Sequence, residues 1–170
     1  MLIKQITYHT MEDVLPESPE VKRTAEGLAR AMTNKTIIAV EILSGRYTKE
    51  PPGGIDEFRA SLPIKVVGAG CHGKFIFGLC TNESYIWSTL GMTGYWNGGG
   101  DKHARVRLDF SDGSSIYFND MRNFGTLKFV KGKHEMLKKL KTLGPDMLAQ
   151  DVPTQVFQAA LMKKPEWSIA

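Results

Sequence analysis

The stretch DVLPESPEVKRT, residues 13–24, sets two Pro-Glu steps ahead of a helical pattern, and a helix start accounts for only one of them. Ser18 can cap, Pro19 suits the first helical position, and Glu20 suits the positive end of the helix dipole. Pro16 and Glu17 are surplus to that physics. Three other stretches carry side chains fit for chemistry or recognition. Lys74, in CHGKFIFG, leads directly into an apolar run. It is either a strand-end cation reaching water or, if buried, an amine held in its neutral, nucleophilic form. Met92 lies between Gly91 and Gly94 in LGMTGYW, as a core methionine of a hairpin or as an apolar side chain displayed on a tight turn. In MRNFG, Arg122, Asn123 and Phe124 put a cation and an aromatic beside a glycine, an arrangement that serves loop structure or an interaction equally well.

The elements that must position these residues follow from periodicity. Val21, Ala25, Leu28, Ala29 and Met32 share one helical face and predict a helix over 19–32. TIIAVEIL, IKVVGAG, KFIFGLC and SYIWSTLGM read as strands, and the prolines and glycines of SGRYTKEPPGG predict a loop without regular structure. RVRLDF and SIYFND flank the turn SDGS as a hairpin, with Val106, Leu108 and Phe110 inward and Arg105, Arg107 and Asp109 on a wet face. From residue 131 a helix runs through KHEMLKKLKTLG to the stop at Gly144-Pro145, and a second covers 153–163 with Val156, Phe157, Ala160 and Leu161 on one face. Residues 1–15 read as an extension, and the apolar pair Trp167 and Ile169 calls for partner surface. The fold class is α+β: an N-terminal helix, an antiparallel β-sandwich, then short C-terminal helices.

Composition narrows the partners. The 170 residues suit one ordinary domain with an appendage. There is no apolar run of about 18 residues and no signal peptide, which excludes a helical membrane protein and predicts an intracellular one, cytoplasmic or nucleoid-associated. Cys71 and Cys80 are too few for a disulfide framework or a four-ligand zinc site. A net charge of +4 favours a polyanionic partner. Lys128, Lys131, Lys133, Lys138, Lys139 and Lys141 concentrate that charge, with Glu135 the one acid among them.

These pieces occur together, in order, in one family. PESPEVKRTAEGL resembles the opening P-E-x-P-E-V of the formamidopyrimidine-DNA glycosylase and endonuclease VIII family. GKFIF, LGMTG, KHARVRLDFSDGSSIYFNDMRNFG and LGPDML follow at about the family's spacing. The resemblance covers residues 16–165 and implies a glycosylase β-sandwich domain at 16–135 and the start of a truncated helix-two-turn-helix domain at 136–170. It implies base-excision repair of damaged double-stranded DNA by a bifunctional glycosylase and abasic-site lyase that removes oxidised bases. Pro16 takes the place of the family's N-terminal amine nucleophile, Glu17 of its acid, and Lys74 of the lysine that contacts the phosphate beside the lesion and assists elimination. Glu20 matches a supporting glutamate. Met92, Arg122 and Phe124 match the side chains that enter the space left by the everted nucleotide, and Lys102 and His103 match a pair at the DNA face. LGMTG and the Arg122/Phe124 pair look most like the formamidopyrimidine branch.

The sequence departs from the family in three ways. Pro16 follows Leu15, so its nitrogen is an amide without proton or lone pair to offer. Three alternatives follow: the chain is trimmed between Leu15 and Pro16; its true start is Leu15, in the place of the family's initiator, which is the expectation; or it is a catalytically silent binding domain for damaged DNA. The 170 residues do not include the rest of the helix-two-turn-helix region or the family's zinc finger, so no cofactor is expected in this chain, and the expectation is a fragment whose C-terminal half lies elsewhere. Asn123 replaces a common arginine and Thr89 a common histidine, which by analogy with surface charge pairs costs backbone contact a few tenths to about 1 kcal/mol each.

Overall fold

The structure is a computed structural model and describes residues 16–144. In chain order it comprises α1 (Ser18–Met32), β1 (Thr36–Ile42), a single 3-10 turn (Gly45–Thr48), α2 (Ile55–Ala60), β2 (Ile64–His72), β3 (Phe75–Cys80), β4 (Ser84–Thr89), β5 (Gly94–Asn97), β6 (Ala104–Phe110), β7 (Ser115–Asp120), β8 (Thr126–Lys131) and α3 (Lys133–Thr142). The expected helix at 153–163, the extension at 1–15 and the Trp167/Ile169 pair lie outside the described residues.

All strand pairs are antiparallel, in the order β5-β7-β6-β1-β2-β3-β4-β8. The β1–β2 junction holds by two register pairs, Thr36 with Lys65 and Ile37 with Ile64. Register shifts at Ile37/Ala39 and Val66/Gly68 flank it. Bulges there bend the sheet, and its two four-stranded halves close over one core. Val106, Leu108 and Phe118 meet Ile76, Ile86 and Leu127 in that core, and the Trp96 indole of one half donates to Ser88 Oγ of the other at 3.1 Å. α1 buries Val21, Ala25, Leu28 and Met32 against β2 and β3, as its periodicity predicts.

Three local readings change. α1 starts one residue early: Glu17 is the N-cap with no side-chain cap bond, Ser18 is helical, and Pro19 lies inside the first turn. The segment expected to be an unstructured loop and its sequel hold the 3-10 turn and α2, whose Ile55 and Phe58 are buried; the Phe58 ring lies 4.6 Å from that of Phe129. β5 and β8 were not legible as strands, because GYWN is short and the lysines of TLKFVK blend into the helical run that follows.

The change at Arg105 matters most for the site. Arg105 belongs to the wet face by alternation, yet it is 8 % exposed. A register shift between Ala104 and Val106 turns it inward. Its guanidinium donates to the carbonyl oxygens of Asp120 (2.7 Å) and Met121 (3.3 Å) and to Ser44 Oγ (2.7 Å). Asp120, 1 % exposed, uses its carboxylate to accept from the Gly125 amide at 2.7 Å and the Thr93 hydroxyl at 2.6 Å.

Asp120→Ala would strand these two donors. A charge-assisted hydrogen bond contributes about 1.5–3 kcal/mol, and an unpaired buried donor costs a comparable amount. A loss of about 3 kcal/mol is expected, read as a lower urea midpoint at unchanged slope; a midpoint within experimental error of the parent would show that the carboxylate does not hold this corner.

Candidate nucleic-acid interface

Register gathers the candidate residues at one end of the sandwich. Ile76 of β3 pairs with Ser88 of β4, so Lys74, just before β3, and Met92, just after β4, emerge together. Thr89 pairs with Thr126, which puts Phe124, just before β8, at that end too. Gly94 pairs with Asp120 and Ala104 with Asn119, adding the residues before β5 and β6 and those after β7.

The first cluster joins α1 to the β2–β3 hairpin. The Glu17 carboxylate lies 2.9 Å from Lys74 Nζ, with the two side chains 59 % and 58 % exposed. Lys74 is thus a surface cation in an ion pair and not a buried amine. So exposed a pair contributes no more than about 1 kcal/mol, and its interest is positional. Glu17 also stands at the positive end of the α1 dipole beside half-buried Pro16. Glu20, in the first helical turn, keeps one carboxylate oxygen buried without a hydrogen-bond partner among the described residues.

The second cluster consists of two turns locked back to back. Met92 is 37 % exposed, Met121 45 % and Phe124 59 %, with Arg122 exposed beside them. Met92 is therefore displayed and not a core residue. The Arg122 guanidinium lies 3.6 Å from the Met92 sulfur, and the Arg122 amide donates to Thr93 Oγ1 at 2.9 Å. Thr93 relays that bond to Asp120, which also holds the Gly125 amide. Arg46 caps the Gly125 carbonyl at 2.6 Å. Gly91 has φ +58°, and a Cβ there would come within 2.6 Å of the Phe124 carbonyl carbon and the Gly125 nitrogen. Only glycine permits that approach.

Asn123 has φ +58°, a left-handed conformation that asparagine tolerates, and its side-chain oxygen is buried toward Gly45. This position serves the turn, which is a more direct reason for asparagine than a missing phosphate contact. Thr89, the other departure, bonds Thr126 Oγ1 at 2.7 Å and ties β4 to β8.

The third cluster is the loop holding Lys102 and His103. The His103 amide donates to the Asp101 carboxylate at 2.6 Å, its carbonyl accepts from the Asp120 amide at 2.9 Å, and Lys102 is exposed. The Tyr95 hydroxyl donates to Asp101. That hydroxyl and the His103 amide hold the Asp101 carboxyl below the usual carboxylate range. Burial, and then Asp101 itself, push the Tyr95 phenol up to about 12. Asp120 therefore links the His103 loop to the two turns that hold Met92 and Phe124. No hydrogen bond or ion pair among the described residues links the Glu17–Lys74 pair to either.

Asp120, Thr93, Arg46 and Arg105 are the residues that sequence reasoning did not single out. Parity with Ile116 and Phe118 is the one signal that Asp120 points inward. Among the described residues no three His, Cys, Asp or Glu side chains converge on a metal-sized site, and burial pushes the Cys80 thiol up to about 12, far from the thiolate a metal needs. No helix among them is long and apolar enough to cross a membrane.

Comparison with known proteins gives this end of the sandwich a context. The sequence model of the formamidopyrimidine-DNA glycosylase N-terminal domain matches residues 15–127. The formamidopyrimidine-DNA glycosylase of Streptococcus pneumoniae is 35 % identical over 156 residues, 88 % of this chain and 56 % of its own length. That of Oceanobacillus iheyensis is 34 % identical over 156 residues, 88 % of this chain and 55 % of its own. Among solved structures, MutM in complex with carbocyclic 8-oxo-G containing DNA superposes with a TM-score of 0.73 at 23 % identity, covering 87 % of this chain and 57 % of that one. The Lactococcus lactis formamidopyrimidine-DNA glycosylase bound to DNA containing an AP site gives 0.73 at 22 %, covering 87 % and 58 %. The chain spans little more than half the length of these relatives. A match to the domain model over most of the described residues, supported by relatives at a third identity and a shared fold, leaves one conclusion: this chain belongs to the formamidopyrimidine-DNA glycosylase family and carries that family's N-terminal domain.

Proposed function

We propose that this domain acts in base-excision repair as a bifunctional DNA glycosylase and abasic-site lyase, with Pro16 as its amine once the bond to Leu15 is absent. The observation that carries the reading is the Glu17–Lys74 contact at 2.9 Å, which sets an acid and a phosphate-directed cation beside Pro16. The secondary amine attacks the sugar C1′ of an everted nucleotide, the damaged base departs with a proton, and Glu17 delivers a proton to the ring oxygen as the sugar opens. The resulting iminium acidifies the adjacent C2′ proton. The Glu17 carboxylate, having given up its own proton, takes this one, the 3′ phosphate is expelled by β-elimination, and water then hydrolyses the iminium to return the amine. Lys74 steadies the phosphate beside the lesion.

Eversion costs a few kcal/mol of lost stacking. Met92 and Phe124, as wedges, refill the stack, and Arg122 faces the orphaned base. Lys102 and His103 meet the backbone. Damaged double-stranded DNA is the partner and oxidised purines the favoured lesion class. No step requires a metal or cofactor from this chain.

A second reading rests on one observation: with residues 1–15 attached, the Pro16 nitrogen is an amide. In that form the protein is a binding domain for damaged DNA with Lys74 and the wedge side chains in place. Borohydride trapping on abasic-site duplex separates the two readings. A chain beginning at Pro16 is expected to give a covalent adduct and the 170-residue chain none; an adduct with the longer chain would assign the chemistry to another amine. If neither form is trapped, the binding-only reading holds.

The wedge has its own test. Stacking on an aromatic ring contributes about 1–3 kcal/mol per base, so Phe124→Ala is expected to weaken binding to abasic-site duplex by about that amount and to leave undamaged duplex unaffected. Equal losses on both duplexes would mean that Phe124 contacts DNA without entering the stack.

A further inference from the structure

The lysine-rich run after β7 has no role in the reaction above, and the structure arranges part of it. α3 turns Met136, 5 % exposed, and half-buried Leu140 toward the sandwich. On the other face His134, Lys138 and Lys141 recur at i, i+4 and i+7, all exposed. Neither lysine has a carboxylate partner among the described residues, and Glu135 is the single acid of the helix. The dipole favours cations in a last helical turn, which explains why α3 tolerates this charge but not why it lies in one stripe.

α3 adjoins the candidate site. Lys139 Nζ sits 5.4 Å from the centre of the Phe75 ring, and Phe75 directly follows Lys74. His72 Nε2 lies 2.5 Å from the Gly144 carbonyl oxygen, joining the end of α3 to the far end of β2. α3 is thus fastened at two points to the hairpin that presents Lys74. The cations of α3 therefore stand on the element next to Lys74, with Lys139 on the hairpin side and Lys138 and Lys141 on the outer face.

Resting on the reading given under Proposed function, we propose that Lys138 and Lys141 form a second backbone-tracking surface, which takes phosphates of duplex DNA flanking the damaged nucleotide. The contact is independent of base and of lesion, and it requires duplex that extends beyond the site. Each lysine that neutralises a phosphate contributes about 0.9 to the slope of log affinity against log salt.

The test measures that slope for the full chain on abasic-site duplexes of about 24 and about 8 base pairs, comparing the parent, Lys138→Gln/Lys141→Gln and, as a control at the other end of β2, Lys65→Gln. The double variant is expected to shallow the slope by about 2 on the long duplex and to match the parent on the short one, while Lys65→Gln changes neither. Unchanged slopes in the double variant, with the parent still binding, would overturn this proposal alone and make the stripe a solvated face. Equal losses on both duplexes would also overturn it, by placing the lysines at the lesion. A parent that does not prefer abasic-site duplex over undamaged duplex would overturn the function proposed above and this surface with it.

Discussion

The Asp120 carboxylate accepts from the Gly125 amide and the Thr93 hydroxyl, so one buried anion fixes the spacing of two turns that belong to different strand connections. Burying a carboxylate costs several kcal/mol unless hydrogen bonds replace its hydration. Here the replacement comes from dipoles, while the nearby cations serve the carbonyls of the same turn: Arg105 takes those of Asp120 and Met121, and Arg46 that of Gly125. The pattern is complementary, with anion to amide and cations to carbonyls. A hydrophobic residue at position 120 would fit the space and leave the turn's amide unpaired, so packing alone cannot do this work.

That lock explains how apolar side chains stay exposed. Full burial of a methionine or phenylalanine is worth about 1.5–3 kcal/mol, and Met92, Met121 and Phe124 forgo much of it. A loose turn would fold these side chains back onto the sandwich. The bonds to Asp120 and Thr93, together with the close backbone approach at Gly91, remove that option. The stability lost on the outside is offset by bonds made underneath, and the side chains are left displayed on the surface.

Much of this was legible in the sequence, and the residues show where legibility stops. The α1 face and the β6–β7 hairpin follow from periods of 3.6 and 2 and from turn residues, which are local signals. Arg105 was misassigned because alternation assumes an unbroken register, and the shift between Ala104 and Val106 depends on what β7 offers across the pair. α2 was missed because six residues between two turns are too few to show a helical period, and tertiary burial of Ile55 and Phe58 decides the conformation. Among site residues the sequence marked Met92 and Phe124 by their glycine-rich turns, and the charged ones by their place in motifs that resemble one family. It was silent on Thr93 and Arg46, whose types are ordinary and whose importance lies in partners remote in the chain.

The Glu17–Lys74 pair has the opposite character to the Asp120 corner, and the contrast fits their tasks. An exposed ion pair contributes no more than about 1 kcal/mol, whereas a charge-assisted bond from lysine to a phosphate contributes about 1.5–3. Under the proposed reaction, DNA therefore outcompetes Glu17 for Lys74. The carboxylate loses its cation as substrate arrives, and Lys74 is released to the phosphate. A tighter, buried pair would stabilise the free protein more and would cost more to break when DNA binds. The proposed reaction therefore needs a weak contact here, whereas it needs rigid turns beneath Met92 and Phe124.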